Sequence, residues 1–194
     1  MLPKAAALAA ATLAMAFAHA EPADILKKIR DTGAVTMGVR EASGAMSYSL
    51  GYGEYAGFHH DVCQRVLADI QKQAGLPKLT IKYQLVTAQN RIPLVQNGTV
   101  DIECGTTTNN AARQKDVAFA PTLYVEEVRI AVKSNSGITD IAQLANKSVS
   151  ATSGATSVQL LRKHKHASGL DFRDRKSTRL NSSHIQKSRM PSSA

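Results

Sequence analysis

The chain has 194 residues, 43% of them hydrophobic, which is enough for a buried core and excludes disorder throughout. Its formal net charge of +9 would suit a nucleic-acid or anionic-membrane partner if that charge covered the surface. However, residues 21–161 hold 14 basic and 13 acidic residues, so the excess charge lies mainly toward the C-terminus. We therefore expect no nucleic-acid partner.

The first 20 residues follow the pattern of a secretory signal peptide. Lys4 gives the positive start, residues 5–17 are rich in Ala and Leu, and Ala18 and Ala20 suit a cleavage site. A membrane-spanning helix is the alternative, but an apolar run of about 13 residues falls short of the roughly 20 that cross a bilayer. The pattern predicts an exported protein, periplasmic in a Gram-negative cell.

The next segments predict alternating helices and strands. Apolar spacing predicts helices at 24–32, 62–70 and 92–96, and strands at 34–39, 79–85 and 99–104. Thr108 is a plausible N-cap for a further helix at 108–113. Gly33, Gly75 and Gly98 mark helix ends, and an irregular hairpin precedes the second helix. This order is typical of a parallel α/β sheet, whose ligands lie outside the carboxyl ends of the strands.

The α/β alternation begins again after a strand predicted at 128–132. A helix at 139–144, a strand at 148–151 and a helix from Thr156 follow. This is the start of a second lobe. About 40 residues are too few for that lobe to close its own sheet.

Residues 174–194 have a different composition, dominated by Ser, Arg, Lys and Asn. We expect this tail to be disordered, because it has almost no apolar periodicity. Residues 174–184 resemble a translated sequencing adapter, which would mean that the native protein is cut near Arg173. A natural basic tail that binds phosphates is the alternative, although no aromatic residue is present to stack on bases.

Two cysteines, Cys63 and Cys104, lie in the body of the chain. An oxidising compartment permits a disulfide between them. Their spacing does not say whether their Cα atoms come close enough, so two separately buried thiols are an equal alternative.

Three arginines, Arg40, Arg91 and Arg113, lie at or just after predicted strand ends, in company with Thr106 and Thr108. Guanidinium groups bind carboxylate oxygens in pairs, and hydroxyl and N–H groups complete the shell around an anion. The combination indicates a carboxylate-binding site. Each residue alone could equally be a solvated arginine or a helix cap.

Three segments carry a resemblance to a known family: QNRIPL at 89–94, QNGT at 96–99 and ECGTTTNNAARQK at 103–115. They resemble the periplasmic glutamate/aspartate-binding proteins of ABC importers. The segments GFHHD at 57–61 and TSGATS at 152–157 are similar to the wider family of polar amino-acid solute-binding proteins.

The resemblance implies a two-lobed α/β fold, the type II periplasmic-binding-protein fold. The first lobe would be essentially complete and the second truncated. It divides the chain into the signal peptide at 1–20, the first lobe at 21–131, the beginning of the second lobe at 132–173, and the tail. The implied activity is capture of glutamate or aspartate by closure of the lobes and delivery to an ABC permease. The receptor would be a monomer without catalysis, cofactor or metal.

The resemblance also implies roles for individual residues. Thr106, Thr108 and Arg113 match positions that hold the ligand's α-carboxylate, and Thr156 contributes from the second lobe. Arg40 and Arg91 match positions that face the side-chain carboxylate.

The sequence departs from the family pattern at two places near the ligand. Ala88 replaces a hydroxyl residue, and Ala45-Met46 replaces a Pro-aromatic pair. The preference between glutamate and aspartate therefore stays open. The acid that pairs with the α-ammonium is expected in the missing part of the second lobe, so the chain as given is expected to bind poorly.

Three other functions are less favoured. Some proteins of this fold are dehydratases or lyases, with Glu41, Asp101 and Glu103 as candidate acids, but no nucleophile motif is present. A ligand-sensing domain is a second alternative. A metal site is the third alternative, with the candidate ligands His59, His60, Cys63, His164 and His166. Their positions do not match the spacing of known metal-binding motifs.

Overall fold

The structure, a computed structural model, describes residues 24–177. The predicted signal peptide and residues 178–194 of the predicted tail lie outside the described residues. No helix within 24–177 is both long and apolar enough to cross a membrane.

The described chain alternates helices and strands, as the sequence predicts. The helices are α1 (Ile25–Thr32), α2 (Phe58–Gln73), α3 (Arg91–Gln96) and α4 (Thr156–Ser168), with 3-10 helices at Arg113–Lys115 and Ile141–Leu144. The strands are β1 (Ala34–Val39), β2 (Tyr48–Gly51), β3 (Glu54–Ala56), β4 (Thr80–Leu85), β5 (Ile102–Glu103), β6 (Ser148–Thr152) and β7 (Arg173–Ser177).

The first lobe is built on a parallel sheet in the order β4-β1-β5. The central strand β1 pairs with β4 along its whole length, from Ala34 opposite Thr80 to Val39 opposite Leu85, and with β5 at Met37 and Gly38. Val35, Met37 and Val39 of β1 are at most 2% exposed, and such burial suits the continuous apolar run of a central parallel strand. The sheet directs the carboxyl ends of all three strands toward one edge.

Helix α1 leads directly into the central strand. The Asp24 side chain accepts a hydrogen bond from the Lys27 N–H, and Gly33 ends the helix with a left-handed φ of 62°. Ile29 of α1 packs with Val35, Met37 and Leu67 in the core between the sheet and α2.

Cys63 of α2 and Cys104, directly after β5, form a disulfide with a Cα–Cα distance of 6.2 Å. Of the two alternatives that the sequence leaves open, the structure therefore shows the disulfide and not two separate thiols. The bond crosses the core of the first lobe, because Cys104 is 2% exposed and Cys63 packs against the same cluster.

The second lobe contains a two-stranded parallel sheet of β6 and β7, with α4 between them in the chain. Its core is formed by Leu144, Val149, Leu161 and Phe172. The strand β7 corrects the expectation that disorder starts at Asp174, because residues 173–177 pair in register with 148–152. Backbone pairing with β6 satisfies the main chain there without an apolar side-chain pattern.

Two other predicted elements are wrong in detail. Residues 108–113 form no helix, because the Asn110 side chain accepts a hydrogen bond from the Arg113 N–H and starts a 3-10 turn there instead. The strand predicted at 128–132 is absent, and Val128, Ile130 and Val132 are exposed. No strand within the described part of the chain pairs with that segment, and an unpaired extended segment is not a strand.

Candidate functional site

The predicted arginines and threonines of the first lobe lie at the carboxyl edge of the parallel sheet. Arg40 directly follows β1, and Arg91 begins α3 after β4. The loop of 105–108 follows β5. Polar side chains from three neighbouring strand ends therefore meet where α/β sheets bind ligands.

Arg40 is partly buried and held by three hydrogen bonds. Its Nε donates to Ser43 Oγ at 3.0 Å, its Nη1 donates to the Val86 carbonyl at 2.9 Å, and its backbone N–H donates to Ser47 Oγ at 3.2 Å. Burial lowers the pKa of Arg40, and the nearby Glu103 carboxylate opposes that shift. The side chain is therefore fixed before any ligand arrives.

Arg91 is only 4% exposed, and its Nε is a buried donor without a hydrogen-bond partner. Burial lowers the pKa of Arg91 to about 10; Glu103 raises that pKa, while the positive charges of Arg113 and Arg40 lower it. A buried unpaired donor is costly, so this guanidinium is the strongest single indication of an anionic ligand.

Arg113 connects the two lobes. Its Nη1 donates to the Thr108 carbonyl at 3.0 Å, and its Nη2 donates to the Gly154 carbonyl at 3.2 Å. Burial lowers the pKa of Arg113, again opposed by Glu103. The charge of one carboxylate, Glu103, thus acts on all three arginines. We call Arg40, Arg91 and Arg113 the arginine cluster.

The threonines lie beside the arginine cluster. Thr106 Oγ1 is 3.5 Å from Ser43 Oγ, the hydroxyl that also accepts from Arg40. Thr108 Oγ1 lies 3.2 Å from Thr156 Oγ1, so these two hydroxyls meet across the lobes. The structure therefore brings Thr106 toward Arg40, and Thr108 and Thr156 toward Arg113.

A cavity of about 220 Å³ lies between the lobes, lined by Gln89, Ser153, Gly154, Val158 and Arg162. At its rim, a Cβ added to Gly154 would lie 2.7 Å from the Ala88 carbonyl oxygen and 2.8 Å from the Gln89 Cα. The main chains of the two lobes are therefore in direct contact beside the arginine cluster.

Sequence reasoning missed Ser43 and gave Glu103 only as a candidate catalytic acid. Ser43 holds Arg40, yet it lies in an irregular segment without any motif. Thr107 has a buried hydroxyl without a partner, and Glu103 has a buried Oε1 without one. The position of Glu103 one residue before Cys104 was a usable signal, because it places a carboxylate at the same strand end as the threonines.

Asp101, His59 and Cys63 have other partners in the structure. The buried Asp101 side chain accepts hydrogen bonds from Lys28 Nζ at 2.7 Å and from the Thr36 N–H at 2.9 Å, so it braces α1 and β1. His59 Nδ1 lies 2.6 Å from the Gly105 carbonyl oxygen, and Cys63 is in the disulfide. Within residues 24–177, no group of three or more metal-ligating side chains comes together.

Two curated relatives match most of this chain. It is 45% identical over 158 residues to the L-glutamate/L-aspartate-binding protein of Pseudomonas aeruginosa, covering 80% of this chain and 52% of that protein. It is 40% identical over 164 residues to the glutamate/aspartate import solute-binding protein of Escherichia coli, covering 82% and 54% respectively. The chain thus spans about half the length of these relatives.

A solved structure shows the same fold. The crystal structure of an ancestral amino acid-binding protein, a precursor of cyclohexadienyl dehydratase, matches with a TM-score of 0.68 at 21% identity, covering 84% of this chain and 68% of that one. The fold is the two-lobed type II periplasmic-binding-protein fold. A family model for the bacterial extracellular solute-binding proteins, family 3, matches residues 35–187. The chain belongs to the bacterial extracellular solute-binding proteins, family 3.

Proposed function

We propose that this chain is part of an extracytoplasmic receptor that captures glutamate or aspartate and delivers it to an ABC permease. The observation that carries the proposal is the buried, unpartnered Nε of Arg91 beside two further arginines. A dicarboxylic amino acid brings two carboxylates to a cluster of three guanidiniums, and charge-assisted pairs of this kind are strong. The names of the two curated relatives support the same ligand class.

The α-carboxylate of the ligand is assigned to Arg113, Thr106 and Thr108, with Thr156 contributing from the second lobe. The support is that Arg113 Nη1 and Nη2 already bind carbonyl oxygens of Thr108 and Gly154, where a carboxylate could replace either acceptor. The Thr108 and Thr156 hydroxyls, 3.2 Å apart, offer two further donors at the same place.

The side-chain carboxylate is assigned to Arg40 and Arg91. Arg40 is fixed by Ser43 and Val86, so its remaining guanidinium N–H groups keep a constant direction. Arg91 is buried at the start of α3 with an open Nε. A ligand oxygen there would pair the buried donor and remove the cost of leaving it unpaired.

Closure of the two lobes over the ligand is the proposed mechanism. The hydrogen bond from Arg113 to Gly154 and the hydroxyl contact between Thr108 and Thr156 join the lobes beside the arginine cluster. A ligand carboxylate bound between them would add bonds to both lobes. Its binding energy would therefore favour the closed form.

The partner and the location follow from the same proposal. The receptor would act as a monomer outside the cytoplasm, in the periplasm, after cleavage of the signal peptide at 1–20. The first lobe is proposed to cover 21–131 and the second to begin at 132–173. The closed form would dock on a permease in the inner membrane, without cofactor or nucleic acid.

Catalysis is not part of the proposal. A structural neighbour is a precursor of a dehydratase, but a likeness at 21% identity concerns the fold alone. Of the candidate acids, Asp101 is occupied by Lys28 and the Thr36 N–H. Ligand binding is the better-supported activity, because the two curated relatives are named as binding proteins.

Calorimetry on the full-length protein tests the proposal, with glutamate, aspartate, glutamine and histidine as ligands. We expect both acidic amino acids to bind at least about 100-fold more tightly than glutamine, which lacks the second carboxylate but keeps its shape. Histidine is expected to bind no better than glutamine. Equal affinity for glutamine and glutamate would reject the acidic-ligand assignment.

A further inference from the structure

Glu103 is the second residue of β5, and its charge interacts with all three members of the arginine cluster. A glycine makes room for its side chain, because a Cβ on Gly105 would lie 2.2 Å from Glu103 Oε1. The carboxylate is thus accommodated by the missing side chain on the loop after β5.

Glu103 forms no direct bond to the arginines that it influences. Its Oε1 is buried without a hydrogen-bond partner, and none of the ion pairs between described residues joins it to an arginine. Arg40 is held instead by Ser43 and Val86, and Arg113 by carbonyl oxygens. Glu103 therefore acts on the cluster through its charge, and the hydrogen bonds of the arginines do not depend on it.

The net charge of the site can be compared with the charge of the ligand's carboxylates. Three guanidiniums and one carboxylate leave a net charge of +2, which matches the two carboxylates of an acidic amino acid. Without Glu103, three positive charges would remain close together in a partly buried site, where like charges repel strongly.

We propose that Glu103 is a positioning residue that sets the net charge of the arginine cluster, stabilising the unliganded pocket and limiting its attraction for anions. This inference rests on the proposed function, because it assumes that the cluster binds an acidic ligand. It assigns to Glu103 a specificity role: its charge determines how much a second ligand carboxylate contributes to binding.

The first test is the Glu103→Gln variant of the full-length protein, which keeps the side-chain shape and removes the charge. Because the cluster then carries +3, each ligand carboxylate is attracted more strongly. We expect the ratio of the glutamine Kd to the glutamate Kd to increase by about fivefold or more. Glu103→Asp keeps the charge and is expected to keep the wild-type ratio, and so is Glu54→Gln on the exposed β2–β3 hairpin.

The second test is thermal unfolding without amino acid. Glu103→Gln is expected to unfold at a lower temperature than wild type. Sodium sulfate should restore its Tm more than sodium chloride of equal ionic strength does, because a dianion can bind the +3 cluster. Wild type and Glu54→Gln should show a smaller difference between the two salts, since sulfate stabilises folded proteins in general and their cluster carries only +2.

Three outcomes would overturn the proposal. Selective loss of glutamate affinity in Glu103→Gln would mean that Glu103 holds the arginines in place mechanically. Equal weakening of glutamate and glutamine, with glutarate unaffected, would mean that Glu103 accepts the ligand's ammonium. An unchanged ratio together with an unchanged Tm would mean that its charge has no role.

Two further results keep the test decisive. If Glu103→Gln is too unstable to purify, adding Arg91→Gln returns the cluster to +2 and is expected to recover the folded protein; failure to recover it contradicts the charge balance. If wild type binds neither acidic amino acid, the proposed function fails. The sulfate dependence of Tm then still tests Glu103 separately.

Discussion

Cys63 and Cys104 form a disulfide that joins α2 to the residue directly before the loop of 105–108, here called the threonine loop. A second contact reinforces this link, because His59 Nδ1 of the same helix lies 2.6 Å from the Gly105 carbonyl oxygen. The loop that carries Thr106 and Thr108 is therefore fixed to a 16-residue helix rather than only to the two-residue strand β5.

Replacing both cysteines by alanine should reduce stability. The bond joins residues 41 apart, and closing a loop of that size lowers the entropy of the unfolded chain. We expect the free energy of unfolding to fall by about 2–4 kcal/mol, measured by urea denaturation. Dithiothreitol should lower the stability of wild type similarly and leave the double variant unchanged; a double variant as stable as oxidised wild type would contradict this.

Arg91→Ala should selectively weaken acidic ligands. The substitution leaves a desolvated ligand carboxylate without its charged partner, so we expect the binding free energy of glutamate to weaken by at least about 2 kcal/mol. Glutamine should lose less. Calorimetry measures both, and Arg65→Ala on the exposed face of α2 serves as the control. Unchanged glutamate affinity in Arg91→Ala would exclude Arg91 from the site.

Gly154→Ala should prevent close contact of the lobes. The added Cβ would lie 2.7 Å from the Ala88 carbonyl oxygen, and neither main chain can move aside freely. We expect glutamate affinity to fall at least about tenfold, with a smaller ligand-induced decrease in the radius of gyration by small-angle X-ray scattering.

Gly137→Ala is the matched control for that experiment. Gly137 has a φ of 68° and Gly154 a φ of 78°, so both substitutions carry a similar backbone strain, but nothing lies within 4 Å of a Cβ at Gly137. It should lose stability and keep its affinity. An equal loss of affinity in both variants would show that backbone strain alone explains the effect, and unchanged affinity in both would contradict the prediction.

The stability contribution of Arg91 should depend on pH. Burial lowers its pKa to about 10, well below the ordinary value of an arginine. Between these values the unfolded chain binds more protons than the folded one, so folding stability rises as the pH increases. Relative to Arg91→Met, wild type should gain stability from about pH 9 to about pH 11, and Arg65→Met should show no such trend. A constant difference between wild type and Arg91→Met would contradict the lowered pKa.

Elements with strong local signals could be predicted from the sequence. Asp24 and Gly33 bound α1, and the apolar run of β1 becomes the central strand of a parallel sheet. The order of strands and helices was enough to place Arg40, Arg91 and the threonine loop at one sheet edge, because parallel strands end there together.

Features that depend on distant partners could not be predicted. The disulfide needed the distance between α2 and the end of β5, which spacing along the chain does not supply. The pairing of 173–177 with β6 depends on backbone hydrogen bonds, which a polar composition conceals. Likewise, the contact of Arg113 with Gly154 joins residues 41 apart whose meeting depends on the arrangement of the lobes.

The contact of Gly154 with Ala88 and Gln89 also bears on receptor engineering. Because it is made between main-chain atoms, the shape of the surface where the lobes meet does not depend on the side chains at 88 and 89. New side chains at these positions could therefore change the pocket, while the contact of Gly154 with the main chain of 88 and 89 is kept. The contact between the lobes is thus set by main-chain atoms, separately from the side chains at 88 and 89.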